Sequence, residues 1–144
     1  MSTRITSTFA PYALSVLRVL VGVTFVAHGY PKLASLQGFA GFLGSLGVPL
    51  PQVAAIIVTV LEVVGGLALI VGLGTRWAAV ALAIEMLVTT LVVKLPNLGF
   101  VAAPDRPGAG AELDLLLMAA CLVLWTAGGG ALSADRSLLK RHDG

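Results

Sequence analysis

Three ionisable side chains lie near the middle of long apolar stretches: Arg18, Glu62 and Glu85. A charge at hydrocarbon depth costs at least about 2.5 to 3.5 kcal/mol on insertion scales, so residues of this kind are usually paired, shielded from lipid and functional. They are therefore the first candidates for a site that holds or moves a proton inside a membrane.

Each of these residues belongs to a stripe with the i, i+4, i+7, i+11 spacing of one helix face. Small residues in the stripes let neighbouring backbones approach closely. With about 1.5 Å of rise per residue, all three charges fall in one layer, roughly 16 to 18 Å below the outer membrane face. We predict that these three residues form a buried cluster, in which Arg18 is a ligand-binding residue and Glu62 and Glu85 are catalytic residues. The stripes are Arg18, Gly22, Phe25, Gly29; Ala55, Thr59, Glu62, Gly66; and Ala78, Leu82, Glu85, Thr89.

One arginine facing two carboxylates leaves a surplus negative charge, so one glutamate is expected to hold a proton near neutral pH. That proton is a candidate for functional transfer. The alternative is structural: Arg18 and Glu62 form a salt bridge that fixes the order of the helices, while protonated Glu85 contacts Thr89 or the backbone.

A second polar group gathers near the predicted outer surface. His28 can carry a proton near neutral pH, and it is a further catalytic candidate. Lys32 and Lys94 are candidate binding residues; the alternative is that they only extend to the lipid headgroups. Glu112 and Asp114, also candidate binding residues, fall in the first turn of a helix, where the helix dipole favours acids.

Asp114 shares its predicted helix face with Met118, Cys121 and Trp125. That spacing points Asp114 into the bundle toward His28. The long loop before Asp114 contributes Asp105 and Arg106 as additional members of the polar group.

The composition indicates the elements that must position these residues. Of 144 residues, 58% are hydrophobic and 11% charged, with a mean hydropathy of +0.99, whereas a soluble domain is about 25% charged. A membrane-crossing helix needs about 20 mostly apolar residues. We predict one all-α domain, a four-helix transmembrane bundle. Its spans are 11–30, 51–73, 77–95 and 112–127, followed by a polar tail at 131–144.

The connections between the spans differ in character. Glycines at every third position from Gly38 to Gly47 alternate with apolar residues, which predicts a short interfacial or re-entrant helix closed by Pro49 and Pro51. Residues 72–75 form a tight turn that makes the second and third spans antiparallel neighbours. The third connection is long and rich in proline and glycine, which is typical of a functional loop.

The distribution of lysine and arginine predicts the orientation. The predicted spans place five basic residues on one side of the membrane, namely Arg4, Arg76, Arg136, Lys140 and Arg141. They place three on the other side, namely Lys32, Lys94 and Arg106. Because basic residues favour the cytoplasm, both termini are expected there, in a bacterial inner membrane.

The residue inventory excludes several classes of site. One cysteine excludes an internal disulfide, a CxxC redox pair and an iron–sulfur cluster held by this chain alone. A bis-histidine haem would need a second histidine at membrane depth, but His142 lies in the tail. No zinc spacing or other metal site is expected, and no basic run suggests nucleic acid. Cys121 is interpreted as a buried small apolar residue.

Three segments, in this order and spacing, resemble the DoxX family of small four-span bacterial membrane proteins. They are LRVLVGVTFVAHGYPKL, VLEVVGGLALIVGLGTRWAA and ELDLLLMAACLVLWTAGGGALSADRSL, and GVPLP also looks like the family. The likeness covers about residues 14–137 and rests on the combination of Arg18, His28, Gly29 and Lys32, then Glu62, Gly65 and Gly66, then Ser133 and Asp135.

The resemblance implies a four-helix membrane bundle. It also implies a link to the small-subunit relatives of a thiosulfate:quinone oxidoreductase and, in mycobacteria, to a membrane complex with superoxide dismutase and a sulfurtransferase that handles oxidative stress. No covalently bound cofactor is expected. A redox reaction would therefore use quinone dissolved in the bilayer or a cofactor carried by a partner.

Three functions follow from these features. The first is a membrane subunit of an oxidoreductase or oxidative-stress system that contacts quinone and relays protons through buried carboxylates. The second is a non-catalytic scaffold or assembly factor, and the third is a small proton-coupled transporter. The expected partners are the lipid bilayer, soluble redox enzymes and a second copy of the chain.

Overall fold

The chain folds into a bundle of helices. A computed structural model describes residues 2–105 and 108–142, and it describes side chains for residues 9–105 and 108–138. Arg106, one of the predicted polar residues, lies outside the described residues. The side chains of four other basic residues also lie outside the described part: Arg4, Lys140, Arg141 and His142. The helices are α1 (Ser2–Ala34), α2 (Leu36–Ser45), α3 (Pro51–Val71), α4 (Thr75–Asn97), α5 (Ala111–Ala127) and α6 (Ala134–His142). The described residues contain no strand, which confirms the all-α prediction.

Three of the helices are long and apolar enough to cross a membrane: Phe9–Ala34 within α1, and all of α3 and α4. The fourth predicted span corresponds to α5, whose 17 residues give a length of about 25 Å. This arrangement is compatible with four spans. The helix α1 is longer at both ends than the predicted 11–30, because it continues through Pro11 and Pro31.

A close contact between α1 and α3 sets their relative position. A Cβ atom added to Gly22 would lie 2.6 Å from the backbone oxygen of Gly66, and one added to Gly66 would lie 2.8 Å from the oxygen of Gly22. Only hydrogen fits at these two positions. The predicted stripes face the interior here, with Phe25 and Leu82 buried in the central apolar core.

The short helix predicted between the first two spans is present as α2. Its apolar residues Ala40 and Leu43 pack against Ala55 of α3. The chain then turns through Gly47, at φ 77°, and Leu50, at φ 48°, before Pro51 begins α3. Proline suits the first turn of a helix because its missing N–H would have no partner there.

Two helices contain a wide π-helical turn that the sequence did not predict. One comprises Leu61–Gly65 in α3, and the other comprises Thr90–Lys94 in α4. Turns of this type occur mainly as single interruptions of α-helices and are frequent at functional sites. They hold Glu62 and Lys94, two of the predicted site residues.

The bundle has two distinct ends. We call the end that carries α2 and the loop between α4 and α5 the loop end, and the end that carries Pro11, the turn at 72–74 and the glycines 128–130 the tail end. At the loop end, the Glu112 amide donates to the Phe100 carbonyl at 2.9 Å, and the Ala102 amide donates to a carboxyl oxygen of Glu112 at 2.9 Å. Glu112 thus anchors the loop to the start of α5.

Candidate functional site

A small cavity at the loop end brings together most of the predicted polar residues. Its volume is about 50 Å³, and side chains of α1, α3, α4 and α5 line it. The ionisable residues around it are His28, Lys32, Glu62, Lys94 and Asp114. The prediction that Asp114 points into the bundle on the side of His28 is confirmed, since both line the same space.

Lys32 and Glu62 form an ion pair across α1 and α3. The Lys32 Nζ lies 2.5 Å from Glu62 Oε2, and the Glu62 side chain is 4% exposed against 24% for Lys32. Lys32 also lies 4.9 Å from the centroid of the Phe39 ring in α2, within the range of a cation–π contact. Helical side chains lean toward the helix N-terminus, so Lys32 near the end of α1 reaches down to Glu62.

Lys94 connects the loop to the bundle. Its Nζ donates to the backbone oxygen of Ala109 at 2.6 Å and lies 3.6 Å from Oδ1 of Asp114. The alternative in which Lys32 and Lys94 only extend to the headgroups is therefore wrong for this structure: each faces an acidic residue of the bundle. Asp114 Oδ2 and Glu112 Oε2 are buried and have no hydrogen-bond partner among the described residues.

Glu85 is buried without a partner. It is 6% exposed, and neither of its carboxyl oxygens has a hydrogen-bond partner among the described residues. It lies close enough to Glu62, Lys32 and Asp114 for electrostatic interaction. Among the described residues, these oxygens therefore form no hydrogen bond with Thr89 or with the backbone, the two partners that the structural alternative named.

Arg18 is not part of this site, so the predicted Arg18–Glu62–Glu85 cluster is wrong. Arg18 is 2% exposed and lies at the tail end. Its Nη1 donates to the carbonyls of Leu69 and Ile70 at the end of α3, its Nε to Gly129 at 3.0 Å and its Nη2 to Leu132 at 3.1 Å. The last carbonyls of a helix have no intrahelical donor, and Arg18 supplies donors to two of them.

The error has a geometric cause. Arg18 and Glu62 do lie on inward-facing stripes, but the assumed limits of the first span placed Arg18 too close to the outer face. At about 1.5 Å per residue, Arg18 is about 24 Å from the end of α1 at Ala34. The Gly22–Gly66 contact then aligns Arg18 with Leu69 and Ile70 instead of Glu62.

The predicted face of α5 is also partly wrong. Asp114 and Cys121 are buried, but Trp125 is 47% exposed, and Leu117 and Leu124 complete the buried face. Within the described residues, no three His, Cys, Asp or Glu side chains are grouped so that they could hold a metal ion. Asp105 is exposed in the loop.

A larger cavity adjoins the small one. It has a volume of about 290 Å³ and predominantly apolar walls, including Phe39 and Phe42 of α2 and Val88 and Val92 of α4. Four residues line both cavities, and they form the polar side of the larger one: His28, Lys32, Thr89 and Lys94. Sequence reasoning missed this cavity, although the glycines and phenylalanines of α2 indicated an apolar element at this end.

At the tail end, Asp135 holds the turn between α3 and α4. Its carboxylate accepts hydrogen bonds from the amides of Gly74 at 2.7 Å and Thr75 at 2.9 Å. Burial acts to raise the pKa of Asp135, but the hydrogen bonds from Thr75 and Gly74 and the charge of Arg18 outweigh it, so the pKa lies below its ordinary value.

Comparison with known proteins identifies one matching family and several relatives of similar length. A sequence profile of the DoxX family matches residues 13–95. The protein named "Putative oxidoreductase CatD" of Bacillus subtilis (strain 168) is 32% identical over 126 residues, 86% of this chain and 85% of that protein. "Inner membrane protein YphA" of Escherichia coli (strain K12) is 30% identical over 128 residues, 88% of this chain and 90% of that protein.

A third relative is an uncharacterised membrane protein of Mycobacterium tuberculosis (strain ATCC 25618 / H37Rv). It is 32% identical over 137 residues, which cover 91% of this chain and 84% of that protein. No solved structure shows significant similarity to the chain.

Proposed function

This chain belongs to the DoxX family of multi-pass membrane proteins, and we propose that it is the membrane subunit of an oxidoreductase system that binds a membrane quinone at the loop end. One relative carries the word oxidoreductase in its name. The observation that carries the proposal is the pair of adjoining cavities, in which an apolar chamber meets a charged one through His28, Lys32, Thr89 and Lys94.

The larger cavity suits the ring of a quinone. Its volume of about 290 Å³ is at the lower limit of the roughly 300 to 1,000 Å³ typical of small-molecule pockets. Phe39 and Phe42 offer flat apolar surfaces to the ring. The isoprenoid tail of the quinone would extend from the cavity into the surrounding lipid.

The polar side of the cavity provides donors for the quinone oxygens. His28 and the ammonium groups of Lys32 and Lys94 line the wall shared with the charged chamber. A hydrogen bond from a charged donor stabilises the negative charge that develops on a quinone oxygen as an electron arrives. These three residues therefore bind and polarise the substrate.

The buried acids provide protons. Reduction of a quinone to a quinol takes two electrons and two protons, and the electrons come from a redox enzyme that docks on the bundle. Glu62 faces Lys32 and Asp114 faces Lys94, whereas Glu85 has no basic partner among the described side chains. Because an unpaired buried carboxylate is costly to charge, Glu85 is assigned a proton in this proposal. Glu85 gives one proton to the quinone, and Glu62 and Asp114 relay the second from water at the loop end. A further proton from that water then restores Glu85 to its protonated form.

Binding of ubiquinone-1 to the purified protein in detergent tests the site. We expect Lys94→Met and His28→Ala each to weaken quinone binding about tenfold, because each variant loses one hydrogen bond to a quinone oxygen. Arg76→Gln, at the opposite end, is the control and should bind like the wild type. Equal affinity in all four proteins would contradict the site.

Turnover tests the role of the acids. Quinone reduction would be measured with the purified protein and the enzymes that co-purify with it, and then with Glu62→Gln and Glu85→Gln. We expect slower turnover in both variants. The quinone affinity should be unchanged in Glu85→Gln, whereas Glu62→Gln also releases the quinone-binding Lys32 and can alter the affinity. Unchanged turnover in both removes the acids from the mechanism. Enzymes that co-purify without any quinone binding would instead identify a scaffold.

A further inference from the structure

A second concave surface lies at the tail end, remote from the quinone site. This groove has a volume of about 600 Å³ and opens between the start of α1, the start of α4 and α6. Leu14, Trp77 and Leu138 give it apolar walls, and Gly128–Gly130 form a floor without side chains. It is wide enough for a branched, partly apolar molecule.

The groove carries an excess of positive charge. Arg18, Arg76 and Arg136 lie at this end, together with one described acid, Asp135. Arg18 is buried and bonded to carbonyl oxygens, and Asp135 is bonded to the Gly74 and Thr75 amides. Arg76 and Arg136 both line the groove and are exposed. Neither forms an ion pair within the described part of the chain.

The groove also lies at the depth of the lipid headgroups. Trp77 sits at the start of the spanning helix α4 and is 81% exposed. Tryptophan concentrates at the boundary between hydrocarbon and headgroups, where an apolar ring and a polar N–H are both accommodated. Arg76 precedes it in the chain and therefore reaches the headgroup layer itself.

We infer that this groove binds a phospholipid with a net negative headgroup. The phosphate lies between Arg76 and Arg136, and the acyl chains lie against Leu14 and Trp77. Guanidinium groups match a phosphate because their planar fork donates two parallel hydrogen bonds. A free phosphate ion would satisfy the arginines but leave the apolar walls uncovered, so the lipid is the better occupant.

Lipid retention tests the assignment. The full chain would be reconstituted in vesicles of equal phosphatidylglycerol and phosphatidylcholine, extracted, and examined by native mass spectrometry for retained lipid. We expect phosphatidylglycerol to be enriched over phosphatidylcholine. Each of Arg76→Gln and Arg136→Gln should reduce the enrichment roughly fivefold, the effect of one basic residue at an anionic surface.

Matched variants distinguish an effect of the arginine charges on lipid binding from an effect on folding. The double variant Arg76→Lys with Arg136→Lys keeps both charges and should retain most of the enrichment, whereas the double glutamine variant should lose it at unchanged helicity. Enrichment that persists in the double glutamine variant would overturn the assignment. Displacement of the lipid by millimolar inorganic phosphate or glycerol 3-phosphate would also overturn it, because the site would then recognise a free anion.

Discussion

Arg18 donates its hydrogen bonds to backbone carbonyls of two separate segments. Leu69 and Ile70 belong to the end of α3, and Gly129 and Leu132 belong to the connection between α5 and α6. A buried guanidinium at the end of a helix is stabilised both by these acceptors and by the negative end of the helix dipole. Arg18 thus joins the first helix to the tail end of the bundle.

Replacement of Arg18 by methionine should destabilise the protein. The variant preserves the apolar stem but leaves several buried carbonyl oxygens without a donor, each at a cost of about 1 to 3 kcal/mol. We expect a fall of several degrees in the thermal unfolding midpoint in lipid-free detergent. Arg76→Met, at an exposed site, is the matched control and should shift the midpoint little. Equal midpoints for the two variants would contradict the role of Arg18.

The sequence identified which ionisable residues are buried, but not their partners. Arg18, Glu62 and Glu85 were placed on inward faces by helical spacing, and all three are buried. The partner of Glu62 depends on the relative height of α1 and α3, which the Gly22–Gly66 contact sets. Spacing within one helix carries no information about that height, so Lys32 was not recognised as the partner.

At the scale of elements, the α1–α3 contact should tolerate no side chain. In Gly22→Ala the new methyl group would meet the Gly66 oxygen at 2.6 Å, and overpacking of this kind typically costs about 1 to 3 kcal/mol. Gly41→Ala in α2 is the control, because a Cβ there has no neighbour within 4 Å. Thermal unfolding should show a lower midpoint for Gly22→Ala and an unchanged or higher one for Gly41→Ala.

The turn between α3 and α4 should be sensitive to acid through Asp135. Its pKa is lower in the folded protein than its ordinary value of 3.8, so its contribution to stability is present above that value and is lost as the pH falls through the lower folded value. Asp135→Asn keeps the shape of the side chain but does not titrate. The difference in unfolding midpoint between wild type and variant should shrink as the pH falls from about 5 to 3. A constant difference would contradict this role.

The sequence predicted the helices better than the wide turns within them. Apolar runs and prolines indicated α2 and α3. A periodic apolar run marks a helix within a single segment, and a proline without an N–H marks where a helix can begin. The wide turns at Leu61–Gly65 and Thr90–Lys94 depend on how neighbouring helices pack. No residue pattern in either segment distinguishes five residues in a wide turn from five in a regular helix.

At the scale of the whole molecule, labelling can test the predicted orientation. Ser45 lies at the loop end and Ser137 at the tail end, and both are exposed. The native Cys121 is buried and should not react with an impermeant thiol reagent. Because basic residues favour the cytoplasm, Ser137→Cys should be protected and Ser45→Cys labelled in intact cells. The opposite pattern would reverse the orientation.

Composition and the lengths of the apolar stretches were sufficient to predict a bundle of membrane helices, but not the position of its cavities. A chain with 58% hydrophobic and 11% charged residues has too few polar groups for an aqueous surface. The cavity of about 290 Å³ arises where α2 meets α3, α4 and the loop. It is therefore a property of the assembly of elements that no single segment encodes.

The wide turns also determine where the chain can lose a residue. A deletion in a regular helix rotates everything beyond it by about 100° and moves the buried face outward. A deletion within Leu61–Gly65 or Thr90–Lys94 would instead convert a wide turn into a regular one, because a π turn contains one residue more than an α turn. A homologue shortened at either place would keep the helix bundle but move Glu62 or Lys94 relative to the cavity. Comparing such homologues would therefore show whether function depends on the position of these side chains or only on the fold.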